Sequence, residues 1–278
     1  MTTKKVSIII PHRNQPTQLR KCLARLLDLG YDEHEIILVD NQSSPFPLFA
    51  SEFPIRILRI ESPPSPYAAR NAGIEQASHP VIALLDVNAL VEAGWMENAL
   101  GSVDSKTILS GKARRIDPGE ADIFQRFDYL HSVLDSSPEQ VHTSLPAGNL
   151  FFYKKAWERI GPFREVRSLG DMEWTSRAFR MGYRLVVHPG VEFTYPFKTG
   201  KSFATKYRRL GGGHAENQFH RHPAWYILKN LLPPSPDFIR RMNKKNIREN
   251  MGLNMLQIAG LCYWVKINYA IGFLQKLR

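Results

Sequence analysis

Three short apolar runs, each closed by polar residues, constrain this chain most. They are Val6–Ile10, Glu35–Asp40 and Pro80–Asp86, all rich in Val, Ile and Leu. Each is too short for a buried helix and too continuously apolar for a half-exposed strand. Each therefore predicts a strand covered on both faces, as in a parallel sheet. Between the first two, Gln15–Leu29 spaces Leu19, Leu23, Leu26 and Leu27 as a helix does, and Gly30 closes it. Ile55–Ile60 predicts a further strand and Ser65–Ala77 a second helix. The order β-α-β-β-α-β predicts an α/β, Rossmann-like fold with a mostly parallel central sheet. Such sheets bind ligands beyond the carboxyl ends of their strands. Pro11-His12-Arg13-Asn14, Asp40-Asn41-Gln42-Ser43 and Asp86-Val87-Asn88 mark those ends.

Beyond residue 100 the pattern loosens. Thr107–Ser110, Gly148–Tyr153 and Arg184–His188 read as strands, Ala121–Leu134 and Asp171–Met181 as helices, with Gly182 closing the last. The Pro-rich stretches Ser62–Pro66 and Pro233–Pro236 read as a loop and a joint between helices.

Charge divides the chain. The net charge is +11, yet residues 198–278 hold 15 Lys+Arg against 3 Asp+Glu. The whole basic excess therefore lies at the C-terminal end. This predicts a near-neutral body, residues 1–200, and a basic, amphipathic helical C-terminal region, residues 201–278. Within the latter, Lys266 is the sole charge between Asn250 and Lys276. Asn254, Gln257 and Asn268 interrupt that segment, and no stretch reaches the ~20 apolar residues of a membrane span. It reads as a helix lying in a membrane interface, or as one packed on the body. In the first case Tyr263, Trp264 and Tyr269 sit at headgroup depth, and Arg240, Arg241, Lys244, Lys245 and Arg248 meet an anionic membrane surface. The aromatics cluster in apolar runs instead of alternating with basic residues, so no nucleic acid is expected as a partner. Two distant cysteines, Cys22 and Cys262, exclude a disulfide scaffold and fit a reducing compartment. The first apolar run is too short for a signal peptide, so a cytoplasmic location is expected, peripheral on the inner face of the plasma membrane.

The strand-end clusters carry chemistry. Asp86 and Asn88, at i and i+2 after an apolar strand, point the same way and offer hard oxygens to a divalent cation; the same residues suit an Asx turn. Asp40 suits a base or ribose, or an ordinary turn. Arg70, in Arg70-Asn71-x-Gly73, suits a phosphate oxygen or the solvent. Asp171 opens a helix, as a cap or as a general base facing a bound hydroxyl.

Taken in order, these segments resemble family 2 glycosyltransferases, the large inverting GT-A group, over about residues 4–200. Val6-Ser7-Ile8-Ile9-Ile10-Pro11 with Arg13-Asn14 is similar to the family's opening strand and loop. Glu35–Ser43 resembles its second strand, Ala69-Arg70-Asn71-Ala72-Gly73 its Ala-Arg-Asn-x-Gly element, and Leu84–Asn88 its DxD segment. Gly170-Asp171-Met172-Glu173-Trp174, with Arg177 and Gly182-Tyr183-Arg184 downstream, resembles its acidic helix.

The resemblance implies a GT-A nucleotide-sugar-binding fold and transfer of a sugar, with inversion, from a UDP-linked donor to a hydroxyl of a glycan or lipid-linked acceptor in surface polysaccharide synthesis. It implies that Pro11, Arg13, Asn14, Asp40, Gln42, Arg70 and Asn71 line the nucleotide site. Asp86 holds a divalent cation, Mn or Mg, and the diphosphate. Asp171 is the base, with Glu173 second in line. Two departures bear on the metal. The second acid of the DxD is Asn88, and Val191–Pro196, where the family often has a His, has none. Either the metal is weakly bound, or His214 supplies a ligand from Gly211-Gly212-Gly213-His214, which reads as a hinge or a break between two helices. His220-x-His222 reads as surface. No glycine-rich loop follows the first strand, against a nucleotidyltransferase or a dehydrogenase. The remaining alternative is a degenerate, transferase-like scaffold.

Overall fold

A computed structural model describes residues 5–31, 34–63, 65–137, 139–217 and 222–277. The chain divides into two compact units, Met1–Arg114 with Leu134–Tyr195, and Arg115–Val133 with Pro196–Arg278.

The first unit has the GT-A fold, an α/β layer around one curled, mixed sheet. Its early elements follow the predicted order: β1 (Val6–His12), α1 (Pro16–Asp28), β2 (Glu35–Asn41), β3 (Arg56–Ile60), α2 (Pro66–Gln76) and β4 (Val81–Leu85). A two-residue β5 (Leu90–Val91) and α3 (Trp95–Ser102) lead to β6 (Thr107–Ala113). The chain leaves for the second unit through α4 (Ile123–Ser132) and returns to form β7 (Asn149–Tyr153), α5 (Lys154–Ile160), α6 (Gly170–Arg180) and β8 (Arg184–Thr194). The strand order is β3-β2-β1-β4-β7-β6-β8-β5. β1 pairs parallel with β2 and β4, and β2 with β3; β7 runs antiparallel to β4 and β6.

The apolar runs are strands because both faces are covered. Along β1, Ile8 and Ile10 enter one core with Leu19, Leu23 and Leu26 of α1, while Ile9 enters a second core with Ile74 of α2 and Trp174 of α6. β2 divides likewise, Ile36 and Leu38 to one side, Ile37 and Val39 to the other. Each such buried side chain contributes about 1.5–3 kcal/mol. Gly73 lets α2 lie on β1, since a Cβ there would overlap Ile9. β8 runs well past the expected His188 because a register shift opposite Gly111 and Lys112 of β6 absorbs its Pro189-Gly190-Val191.

The second unit is helical. α4, whose Asp122 cap and Gln125 form a reciprocal capping box, belongs to it together with α7 (Gly200–Glu216), α8 (Pro223–Leu231), α9 (Pro236–Arg248) and α10 (Met255–Leu277). At its centre the buried Asp128 of α4 accepts hydrogen bonds from Lys206 Nζ (2.6 Å), Tyr207 OH (3.0 Å) and the Lys198 amide (2.9 Å). Burial, and next Lys206, push His131 down to about 4, so it sits there neutral.

Here the structure corrects the sequence reading. The triple glycine is neither a hinge nor a break. It lies inside the continuous α7, where Gly211 faces α10 so closely that a Cβ would overlap the Tyr269 carbonyl; across the same contact a Cβ on Gly272 would overlap the Arg208 carbonyl. Small residues replaced the expected turn because two backbones approach each other there. Tyr269 is turned inward, packing edge-on against Tyr207 and His214. Ile258, Leu261, Cys262, Val265 and Phe273 of α10 are buried. Among the described residues, no helix is long and apolar enough to cross a membrane. His220 lies outside the described residues; His222 is an exposed residue before α8.

Candidate active site

The site is built where the parallel strands end. The loops after β1 and β2 are clasped together. Asn14 donates its amide to Ser43 Oγ (2.9 Å) and accepts from the Ser44 amide through Oδ1 (2.8 Å), with φ +53°. Asp40 lies beneath this clasp. Its side chain is 0% exposed, with Oδ1 2.9 Å from His12 Nδ1 and Oδ2 accepting from the Ser43 amide (3.1 Å). The Gln15 amide donates to His12 Nε2, which leaves the imidazole proton on Nδ1, facing Asp40. A donor on each oxygen, with Arg59 Nε 3.9 Å from Oδ2, explains how a carboxylate can be buried here. Asp40 thus holds the two loops from inside, while Arg13 and Gln42 are exposed at their surface; Gln42 has φ +59° and donates to the Ser62 carbonyl (3.3 Å). Pro11 is buried on β1 beside Val39.

α2 begins at Ser65, whose hydroxyl accepts from the amides of Tyr67 and Ala68 and donates to the Val166 carbonyl (2.8 Å). That start places Tyr67 and Arg70, three residues apart, on one helix face. Arg70 is buried, with Nη2 2.6 Å from Asp86 Oδ1 and its guanidinium 5.2 Å from the centre of the Tyr67 ring. Burial works against its charge, but Asp86, Tyr67 and Asp171 outweigh it and raise its pKa. Tyr67 OH donates in turn to Asp171 Oδ1 (2.9 Å). Asp86 and Asp171, far apart in sequence, are therefore joined through one buried guanidinium and one phenol.

Asp171 sits in the first turn of α6. Its Oδ1 also accepts from the Met172 amide (2.9 Å), and its Oδ2 from the Ala147 amide (3.0 Å). Asp86 is one-third exposed and opens a turn in which the Ala89 amide meets the Asp86 carbonyl. Within that turn Asn88 Oδ1 is buried and has no hydrogen-bond partner among the described residues.

Three expected residues go elsewhere. Asn71 spends its amide on structure, donating to the Phe163 carbonyl (2.8 Å) and accepting from the Phe163 amide (2.9 Å), so it pins α2 to the loop before α6. Glu173 is held 2.8 Å from Arg177 Nε, and Arg177 donates to the carbonyls of Ile160 and Pro162. His214 lies in α7 of the second unit, between the rings of Tyr226 and Tyr269 rather than in a loop. Among the described residues, no three His, Cys, Asp or Glu side chains converge as a metal-binding group. Sequence reasoning missed Tyr67 and His12. The Tyr67–Arg70 spacing was the available signal for the first.

Residues 7–168, more than half of the chain, match the family described as Glycosyl transferase family 2. The chain is 26% identical over 280 residues to glycosyltransferase AglE of Haloferax volcanii, covering 92% of each protein. It is also 26% identical to the pre-mycofactocin glycosyltransferase of Mycobacterium tuberculosis, over 79% of this chain and 48% of that one. Two solved structures share the fold. The mannosyltransferase PcManGT from Pyrobaculum calidifontis, in complex with GDP-Man and Mn2+, has a TM-score of 0.63 at 16% identity, over 99% of this chain and 88% of that one. S. aureus TarS has a TM-score of 0.54 at 16% identity, over 77% and 40%.

Proposed function

Since this chain belongs to glycosyl transferase family 2, we propose that its glycosyl transfer is an inverting one, from a UDP-linked sugar to a hydroxyl of a glycan or lipid-linked acceptor, in surface polysaccharide synthesis. The observation that carries this reading is the chain of contacts Asp86–Arg70–Tyr67–Asp171. It sets two carboxylates on either side of one buried cation, which suits Asp86 to the phosphate side and Asp171 to the base side of a single displacement.

In this mechanism Asp171 accepts the proton of the acceptor hydroxyl. The freed oxygen attacks the anomeric carbon, the bond from that carbon to the donor phosphate breaks, and the nucleoside diphosphate departs with the electron pair. Arg70 stays charged throughout and steadies Asp86 beside the departing diphosphate. A divalent cation fits the Asp86–Asn88 turn, because both offer hard oxygens and Asn88 Oδ1 has no other partner among the described residues. When bound there, Mn or Mg would offset charge developing on the diphosphate. Arg13, Asn14 and Gln42 border the nucleotide on the clasped loops, which Asp40 holds from beneath.

Uridine specificity rests on the resemblance of Asp40 and its strand to the family; the shared fold does not decide it, since PcManGT holds GDP-Man and GalNAc-T7 (TM-score 0.55, 13% identity, 90% of this chain and 55% of that one) holds UDP. Addition of UDP with Mn2+ is expected to raise the thermal midpoint by several degrees, and GDP with Mn2+ by less; saturation at 100 Kd is worth about 2.7 kcal/mol. An equal or larger shift with GDP would sink the uridine assignment. No shift with any nucleotide would favour a scaffold.

We also assign residues 1–200 the transfer chemistry and residues 201–278 a peripheral hold on an anionic membrane, at the cytoplasmic inner face where lipid-linked acceptors are met. The support lies within the second unit. α8 exposes Trp225 (59%), Leu228 (50%) and Leu231 (49%), followed by Leu232 (49%), while Tyr226 and Asn230 face inward. The end of α8 lies beside α10, where Tyr263 OH donates to the Leu231 carbonyl (2.9 Å). Exposed Arg240, Arg241 and Lys244 of α9 add positive charge. That combination fits a lipid interface better than water. Replacing Trp225 and Leu228 by Ala is expected to weaken binding to phosphatidylserine vesicles about tenfold or more, read by sedimentation. Unchanged pelleting would remove α8 from any membrane contact.

A further inference from the structure

The two oxygens of Asp171 are not equivalent. Each oxygen of a carboxylate accepts about two hydrogen bonds. Among the described residues, Oδ1 has two donors, Tyr67 OH and the Met172 amide, and Oδ2 has one, the Ala147 amide. We propose that Tyr67 is a positioning residue which, with the Met172 amide, fills Oδ1 and so leaves Oδ2 as the atom that receives the acceptor's proton. The proposal rests on Asp171 being the base.

The surroundings suit Tyr67 to this task. Its ring is fixed against Phe163 (centroids 6.1 Å apart, 22° between planes). Gly170 lies so close that a Cβ there would sit 2.9 Å from the Tyr67 ring. Any side chain at 170 would push the phenol off Asp171. Burial, and then the Asp171 carboxylate, hold the Tyr67 pKa far above its ordinary value, so the phenol keeps its proton and only donates. Arg70 faces Asp171 from α2 and is paired with Asp86, Glu173 is paired with Arg177 on α6 itself, and the segment before β7 contributes the uncharged Ala147 amide. A donor to a carboxylate stabilises its charged form. Removing the Tyr67 hydroxyl therefore takes one donor from that charge and frees Oδ1 to compete with Oδ2.

Tyr67→Phe keeps the ring and removes only the hydroxyl. Its acidic limb of kcat/KM is expected to move about one pH unit upward, with donor KM unchanged. Fluorotyrosine at position 67, a stronger donor, is expected to move the limb downward. Limbs that superimpose across Tyr, Phe and fluorotyrosine would overturn the proposal, whatever happened to the thermal midpoint. Asp171→Asn separates this from failure of the underlying reading. If that variant loses transfer while the limbs superimpose, Asp171 remains the base and Tyr67 is packing alone. If it transfers normally, the base is misassigned and both fall.

Discussion

Asp171→Asn is expected to lower kcat by about 10²–10⁴-fold, the range for removing a positioned general base. UDP binding should barely change, and the thermal midpoint should fall modestly. The substitution is nearly isosteric and its Oδ1 can still accept from Tyr67 OH, as Asp171 does, but its NH2 group then faces the Ala147 amide, which donates to Asp171 Oδ2. What it loses is the ability to take a proton from a hydroxyl at neutral pH. Initial transfer rates, with a UDP titration alongside, check this; a fully active variant would remove Asp171 from the chemistry. Glu173→Gln is the companion measurement. Glu173 spends its charge on Arg177, which tethers the carbonyls of Ile160 and Pro162. That change should cost stability before it costs rate.

The largest effect on stability is expected at Gly272→Ala. A single Cβ there would overlap the Arg208 carbonyl across the α7–α10 contact. Backbone cannot move aside as a flexible side chain can, so the helices must separate. Overpacking of this kind costs about 3 kcal/mol or more. Gly260→Ala, the same change in the same helix, should do the opposite. Gly260 is exposed with nothing within 4 Å, and exchanging a mid-helix glycine for alanine gains about 0.5–1 kcal/mol. Two melting curves in opposite directions test the packing against helix propensity. If Gly272→Ala melts no lower than Gly260→Ala, the close contact is not as described.

Much of the first unit was legible because burial on both faces leaves its mark as unbroken apolar runs. β1, β2 and β4 and the helices between them fell where the runs and spacings placed them. Short elements such as β5 and α5 left no such mark, since two or seven residues cannot carry a period. The Ala-Arg-Asn-x-Gly element was legible as a motif but not in its division of labour. Arg70 turns to Asp86, Asn71 braces Phe163, and Gly73 makes room for Ile9. Which of two neighbouring polar residues faces the site depends on helix phase, and only Ser65 as the cap fixes that phase. Asp40 shows the same limit. The sequence marked it as a polar strand end, but the hydrogen bonds that allow its complete burial come from His12, at the end of the neighbouring strand β1, and from the Ser43 amide in its own turn. The triple glycine was misread because glycine serves turns and tight helix contacts alike, and the contact partner is some sixty residues away.

The route of the chain through α4 has a consequence for biosynthesis. α4 emerges from the ribosome long before α7 and the segment that follows α9, yet its buried polar side chains find partners there: Asp128 in Lys206 and Tyr207, Tyr129 in Glu249, Arg126 in the Met251 carbonyl. Until the final helix is released, α4 is an early-made segment waiting for late-made partners, with Phe127 and Leu130 unshielded. Nascent chains of this protein are therefore most exposed to aggregation or chaperone capture between those two moments, and a chain stopped near residue 200 never leaves that interval.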